Sequence, residues 1–293
     1  MEFDRIREGG AGLRYGFVFG GDRVAFVKVG LGGDIFGYAN KYLQIAHLLK
    51  EKYGFGAVVA SNPEGEKSHR EEDLAALAAF VREGGLSSPA YFFFGHSMGS
   101  FVLRTILAKY PDSGIAGAVI CGTGWMGKPI MVGGLAVASA VCKIKGAAHP
   151  SPLLKSVMFG GYNSRIENAR TENDWLSTDP KVVDTYNADP NCGFMASAGL
   201  VRAMLTGLLY IHKPENLAAM DQKLPVYFIA GGEDPVGNYG KGVELAAAEF
   251  VKAGMERVDC RIYPGGRHEI LNECKKEEVY LHTYEWIKSV LMD

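Results

Sequence analysis

The segment that most constrains this chain is Ala90-Tyr91-Phe92-Phe93-Phe94, followed without a break by Gly95-His96-Ser97-Met98-Gly99 and then by a helical pattern from about Ser97 to Lys109. The phenylalanine run is apolar on both faces. A strand of that kind needs helices on both sides of its sheet, which is the setting of a parallel sheet. Ala57–Ala60 and Val226–Ala230 are apolar strands too.

Strand and helix signals alternate through the first third. Tyr15–Phe19 and Val24–Val29 read as strands flanking the turn signal Gly20-Gly21-Asp22, and helices are expected over 40–52 and 72–81. Gly117–Ile120 is the next strand. The rhythm stops near Gly122. From Thr123 to Gln222 the pattern holds helices, expected at 130–143, 151–158, 179–186 and 196–212, and no strand. It resumes with the strand 226–230, a helix 243–253, a strand Arg257–Tyr263 and a closing helix 277–292. The expected fold class is α/β, a mostly parallel sheet with helices on both faces. The expected organisation is a core of 1–122 and 223–293, split by a helical cap of 123–222.

Composition narrows the functions open to such a fold. With 293 residues, 47% apolar and 22% charged, the chain can bury a large core. A net charge of −2 and no long basic stripe argue against nucleic acid as a partner. The five cysteines, 121, 142, 192, 260 and 274, are odd in number and form no C-x-x-C pair, so buried free thiols in a reducing compartment are expected. Met1-Glu2-Phe3-Asp4 lacks the apolar region of a signal peptide, and the longest apolar run, Met131 to Cys142, is too short to span a bilayer. Cytoplasmic localisation is the expectation. The sequence shows no metal-ligand cluster, and neither metal nor cofactor is expected.

Gly95-His96-Ser97-Met98-Gly99 is G-x-S-x-G between a buried strand and a helix. In that setting a sharp turn lifts a serine hydroxyl above the sheet at a helix N-terminus, where N–H groups and the helix dipole favour negative charge. A nucleophilic serine needs a base, and the base an orienting acid, here in the order Ser, acid, His. Asp234 lies in the loop after strand 226–230, with Glu233 beside it as the alternative. His268 follows the last strand, 34 residues beyond Asp234. His47, His69 and His96 precede the nucleophile, His149 and His212 fall in the insertion, and His282 lies in the closing helix. The oxyanion hole is expected from the backbone N–H groups of Met98 and Leu31. The loop Val29-Gly30-Leu31-Gly32-Gly33-Asp34 also suggests a dinucleotide turn, but Ile35 stands where G-x-G-x-x-G needs its third glycine.

With these residues the chain resembles the α/β-hydrolase superfamily, in the branch of lysophospholipases, monoacylglycerol lipases and serine aminopeptidase-like hydrolases. The resemblance runs from about Phe92 to the C-terminus. It rests on the G-x-S-x-G turn, on Gly232-Glu233-Asp234-Pro235-Val236-Gly237 and on Arg267-His268-Glu269-Ile270-Leu271-Asn272-Glu273. The insertion resembles that branch's cap at Tyr162-Asn163 and Thr171–Ser177. The chain departs from the branch at Val29-Gly30, where His-Gly is usual. It departs again at Ser61–Ser68, where Asp-x-Arg-Gly-x-Gly-x-Ser is usual.

The resemblance and the motifs together imply a serine hydrolase of carboxylic esters with an apolar acyl group, working on a small-molecule ester or lipid. Trp125, Met126, Met131, Leu135, Phe159, Trp175, Phe194, Met195, Leu205 and Tyr210 supply the cap with apolar bulk. Most of it is expected to form the cap's own core. Candidate substrate contacts are Gly30, His96, Trp125, Met126, Phe194, Met195 and Val236. Met131–Ala138 reads as a buried cap helix, with transient contact to a membrane surface as its alternative. A peptidase or amidase is the second reading, with Glu167, Glu172, Asp174 and Asp179 available to bind an amine. A hydrolase fold kept only for ligand binding is the third. Oligomeric state is not legible in the sequence.

Overall fold

In the computed structural model the described residues are 5–8, 14–18, 23–28, 51, 55–61 and 91–292, apart from 191 and 194. Eight strands form one sheet: β1 (Arg5–Glu8), β2 (Arg14–Val18), β3 (Arg23–Lys28), β4 (Phe55–Ser61), β5 (Tyr91–His96), β6 (Gly117–Cys121), β7 (Val226–Gly231) and β8 (Val258–Tyr263). Their order is β1-β2-β4-β3-β5-β6-β7-β8. From β4 to β8 every neighbour is parallel, whereas β2 runs antiparallel to both β1 and β4. The strands expected on either side of Gly20-Gly21-Asp22 are present but do not pair, because β4 is inserted between them. That turn and the helices expected over 40–52 and 72–81 lie outside the described residues, except Glu51, which is helical.

Helix α1 (Met98–Lys109) follows β5, α7 (Lys241–Lys252) follows β7, and α8 (Lys276–Met292) closes the chain. They account for the double-sided apolar strands. Phe93, Ile120 and Phe228 pack with Leu103, Ile106 and Leu107 of α1 and Val243 and Phe250 of α7. On the other face Trp286 of α8 meets Phe92 edge-on at 6.1 Å and stacks on Tyr227 at 5.3 Å. Fully burying side chains such as Phe228 and Phe250 contributes about 1.5–3 kcal/mol each.

Between β6 and β7 the chain is helical: α2 (Lys128–Lys145), α3 (Pro152–Phe159), a 3-10 turn (Asp174–Leu176), α4 (Pro180–Ala188), α5 (Ala198–Ile211) and α6 (Pro214–Ala218). The starts are written in the sequence. Ser151, Asp179 and Ser197 each cap a helix by accepting a backbone N–H, from Leu154, Lys181 and Leu200. Prolines at 152 and 180 take first-turn positions where no N–H is needed. The lobe has its own apolar cluster, with Met131, Ala138 and Cys142 of α2 against Val201, Leu205 and Leu208 of α5. Leu217 and Met220, by contrast, pack into the core beneath the sheet.

Candidate active site

Ser97 is the single residue between β5 and α1. Its backbone has φ 55° and ψ −124°, a region that costs a non-glycine residue about 1–3 kcal/mol. Two features hold it there. The Ser97 N–H donates to Cys121 O of β6 at 3.0 Å. The helix also comes back so close over the strand that a Cβ at Gly95 would sit 2.5 Å from Gly99 O. The G-x-S-x-G spacing is therefore steric as well as chemical. Met98 opens α1, and its N–H is among those with no partner within the helix. Leu31 and Gly30 lie outside the described residues.

The expected acid and base lie in the loops after β7 and β8. Asp234, three residues past β7, is fully buried. Its Oδ1 accepts the Val236 N–H at 2.9 Å, and its Oδ2 lies 2.9 Å from His268 Nδ1. A carboxylate there accepts from Nδ1–H, which leaves Nε2 as the basic nitrogen of His268. Glu233, the alternative acid, is exposed and lines the cavity described below. The two loops touch through glycine: a Cβ at Gly231 would fall 2.2 Å from both Gly266 O and Arg267 O.

The Ser97 turn and the His268 imidazole converge on the end of β6. Ser97 is bonded to Cys121, and the next residue, Gly122, faces the imidazole. A Cβ on Gly122 would lie 3.2 Å from His268 Cε1 and 3.3 Å from His96 Nε2. Gly122 also has φ 57°, which suits glycine.

The helical segment between β6 and β7 is strapped to the loop that carries His268. Arg267 donates to the carbonyls of Asp174 and Ser177 at 2.8 and 2.9 Å. Glu269 N–H donates to Leu176 O at 2.7 Å. The buried Glu273 accepts the backbone N–H groups of Thr178 and Arg267, both at 2.9 Å, and the Thr178 hydroxyl. Trp175 thereby stands 5.0 Å from the His268 ring, with Tyr162 edge-on to its indole at 4.8 Å. Burial, and then the negative charge of Asp234, push the Tyr162 hydroxyl well above the usual tyrosine range. A cavity of about 260 Å³ lies beside this strap, lined by Tyr162, Arg165, Thr178, Glu233, Tyr239 and Arg267 among others. Neither Ser97 nor His268 is among its lining residues.

The remaining predicted contacts are scattered. His96 is buried beneath His268. Trp125 donates to Glu249 of α7 at 2.8 Å, and Glu249 also takes His212 at 2.8 Å, so both ends of the cap meet one carboxylate. Burial raises that carboxyl, but the bonds from His212 and Trp125 and the charges of His212 and Arg104 outweigh it and hold it below its ordinary value. Arg104 of α1, wholly buried, donates to Gly124 O at 3.1 Å, and burial lowers it to about 10. Met126 packs against the cap cluster, Val236 abuts Gly124, and Met195 is partly buried. Phe194 lies outside the described residues. Of the cap carboxylates, Glu172 pairs with Lys155 at 2.9 Å and Asp179 caps α4. Asp174 accepts from Thr171 and Arg170; burial pushes it up, and these bonds bring it below its ordinary value. Sequence reasoning did not find the roles of Glu249 and Glu273, because their partners lie up to 124 residues away.

The sequence matches the family Hydrolase_4, described as serine aminopeptidase, S33, over residues 66–275. It is 28% identical to a monoacylglycerol lipase of Mycolicibacterium smegmatis over 204 residues, which is 67% of this chain and 61% of that protein, short of two thirds of its length. Among solved structures, a highly thermostable carboxyl esterase from Bacillus coagulans in complex with glycerol matches with a TM-score of 0.85 at 25% identity, over 99% of both chains. The monoacylglycerol lipase of Paleococcus ferrophilus matches with a TM-score of 0.66 at 18% identity, over 95% of this chain and 99% of that one.

Proposed function

The chain belongs to the serine aminopeptidase S33 family and has the α/β-hydrolase fold, and on that premise we propose that it is a serine hydrolase cleaving carboxylic esters with an apolar acyl group. The observation that carries this reading is the buried His268–Asp234 contact at 2.9 Å, meeting a strained Ser97 turn across Gly122. The names of the relatives, monoacylglycerol lipase and carboxyl esterase, support it.

In the proposed cycle Ser97 Oγ attacks the ester carbonyl while His268 Nε2 takes its proton. Asp234 keeps Nδ1 protonated and steadies the imidazolium. The N–H groups of Met98 and Leu31 hold the oxyanion, each worth about 3–4 kcal/mol in the transition state. The imidazolium protonates the leaving alcohol as the C–O bond breaks. Water, deprotonated by His268, then attacks the acyl-enzyme, and Ser97 recovers its proton as the acid leaves. Side chains and water handle every proton, so the proposed chemistry calls on no cofactor.

The core is taken as 1–122 and 223–293 with 123–222 as cap. The acyl chain is assigned to Met126, Phe194, Met195 and Val236. Helix α2 exposes Ile130 and Ile144, flanked in the chain by Lys128, Lys143 and Lys145, and α3 exposes Val157, which suits transient contact with a lipid surface. Among the described residues no helix is long and apolar enough to cross a membrane. All five cysteines are free, which supports a cytoplasmic setting, but only Cys121 and Cys142 are buried as expected, whereas Cys192 is partly buried and Cys260 and Cys274 are exposed. The amine-binding alternative is weakened because Glu172, Asp174 and Asp179 already have local partners.

The test is hydrolysis of p-nitrophenyl esters of increasing chain length, run against aminoacyl amides. The wild type is expected to turn over the esters, to prefer them to the amides, and to lose activity in Ser97→Ala. Undiminished turnover in that variant would refute the assignment.

A further inference from the structure

We infer that His96 is a positioning residue for the general base, a role that rests on the proposed Ser97–His268–Asp234 reading. His268 is held at both ends of its own backbone. Its N–H donates to Trp175 O of the cap at 3.4 Å. Its C=O lies 3.2 Å from His96 Nε2. A carbonyl oxygen can only accept, so His96 Nε2 carries the proton in this bond.

His96 is the last residue of β5, directly before Ser97. The bond therefore ties the backbone of the base to a point one residue from the nucleophile. The rings reinforce it, with His96 and His268 centroids 4.8 Å apart. Gly122 leaves the space in which they meet. His96 is 2% exposed, which gives it almost no surface to offer a substrate. The buried Glu269, with Oε2 3.9 Å from His96 Nε2, accepts from Asn272 at 3.4 Å and completes the polar surroundings of the ring. Holding the base to within a fraction of an ångström matters because a 1 Å misplacement can cost about 100-fold in rate.

The experiment compares His96→Ala and His96→Gln with the wild type on p-nitrophenyl butyrate. It reads kcat and KM separately, with the rate of fluorophosphonate labelling and thermal unfolding in parallel. In His96→Ala, kcat and the labelling rate are expected to fall together by about 30- to 100-fold, with KM within about twofold. His96→Gln places an amide N–H near the lost Nε2–H and is expected to recover kcat to within about fivefold of wild type. A folded His96→Ala with wild-type kcat would overturn the inference. So would a folded His96→Gln as slow as His96→Ala. Should the alanine variant fail to fold, His96→Gln decides alone: near-wild-type kcat supports the role, and a loss above about 30-fold in a folded protein overturns it. A wild-type protein inert to every ester would overturn the hydrolase reading and this inference with it, whereas an active one indifferent to His96 would overturn the inference only.

Discussion

Gly231→Ala probes the joint on which the base and its acid depend. Gly231 ends β7, and Asp234 follows three residues later. The new Cβ would stand 2.2 Å from Arg267 O and Gly266 O and 2.5 Å from Gly266 C. These are backbone atoms on both sides, so no side-chain rotation relieves the contact. Bringing the nearest approach to 3.0 Å moves the two loops apart by about 0.8 Å. His268 follows Arg267 directly, so its 2.9 Å contact with Asp234 would stretch to about 3.7 Å, beyond hydrogen-bonding range. Overpacking of this kind costs about 1–3 kcal/mol of stability. The displaced imidazole should lower kcat about 100-fold, or about 2.7 kcal/mol of barrier. Urea denaturation gives the first quantity, and steady-state kinetics on a p-nitrophenyl ester gives the second. KM should change less than kcat, because Val236 is the one assigned acyl contact carried by the displaced loops. A folded Gly231→Ala protein with wild-type kcat would refute the reasoning that couples these loops to catalysis.

Two further predictions concern stability. Glu249 is held below its ordinary value of 4.5, so its contribution is present above that pH and lost as pH falls through its lower folded value. Wild-type urea midpoints should therefore fall more steeply as pH drops below 4.5 than those of Glu249→Gln; parallel slopes would contradict the assignment. Gly133 is exposed within α2, and a Cβ there would meet nothing within 4 Å, so Gly133→Ala should stabilise the protein by about 0.5–1 kcal/mol in the same denaturation assay and leave ester turnover unchanged.

Local chemistry made much of the architecture legible. The run Phe92-Phe93-Phe94 announced a strand covered on both faces, and α1, α7 and α8 cover it. The helices expected at 151–158 and 179–186 are α3 and α4, which start at Ser151-Pro152 and Asp179-Pro180. Strand β1, Arg5-Ile6-Arg7-Glu8, escaped notice because an edge strand with a single apolar residue carries no burial pattern. The order β2-β4-β3 was hidden because adjacency in a sheet is settled by pairing between distant segments, and a turn signal between two strands does not say that they pair.

The site divides in the same way. The strand-turn-helix setting pointed to Ser97, and the loops after β7 and β8 pointed to Asp234 and His268, because each belongs to a local pattern. What surrounds them does not. Trp125 reads as apolar bulk, yet its indole N–H is held by Glu249, 124 residues away. His96 reads as a residue beside the nucleophile, yet its partner is the backbone of a residue 172 positions later. Trp175 lies in a motif of the cap, and its contact with His268 follows from the Arg267 and Glu273 strap, whose donors and acceptors are ordinary polar residues until the chain folds.

The central claim is that Ser97, activated by His268, is the nucleophile. Its most direct measurement is intact mass after fluorophosphonate treatment, followed by peptide mapping of the adduct. The account predicts one adduct per chain, on Ser97, and none in Ser97→Ala. An adduct on another residue, or undiminished labelling of Ser97→Ala, would contradict it.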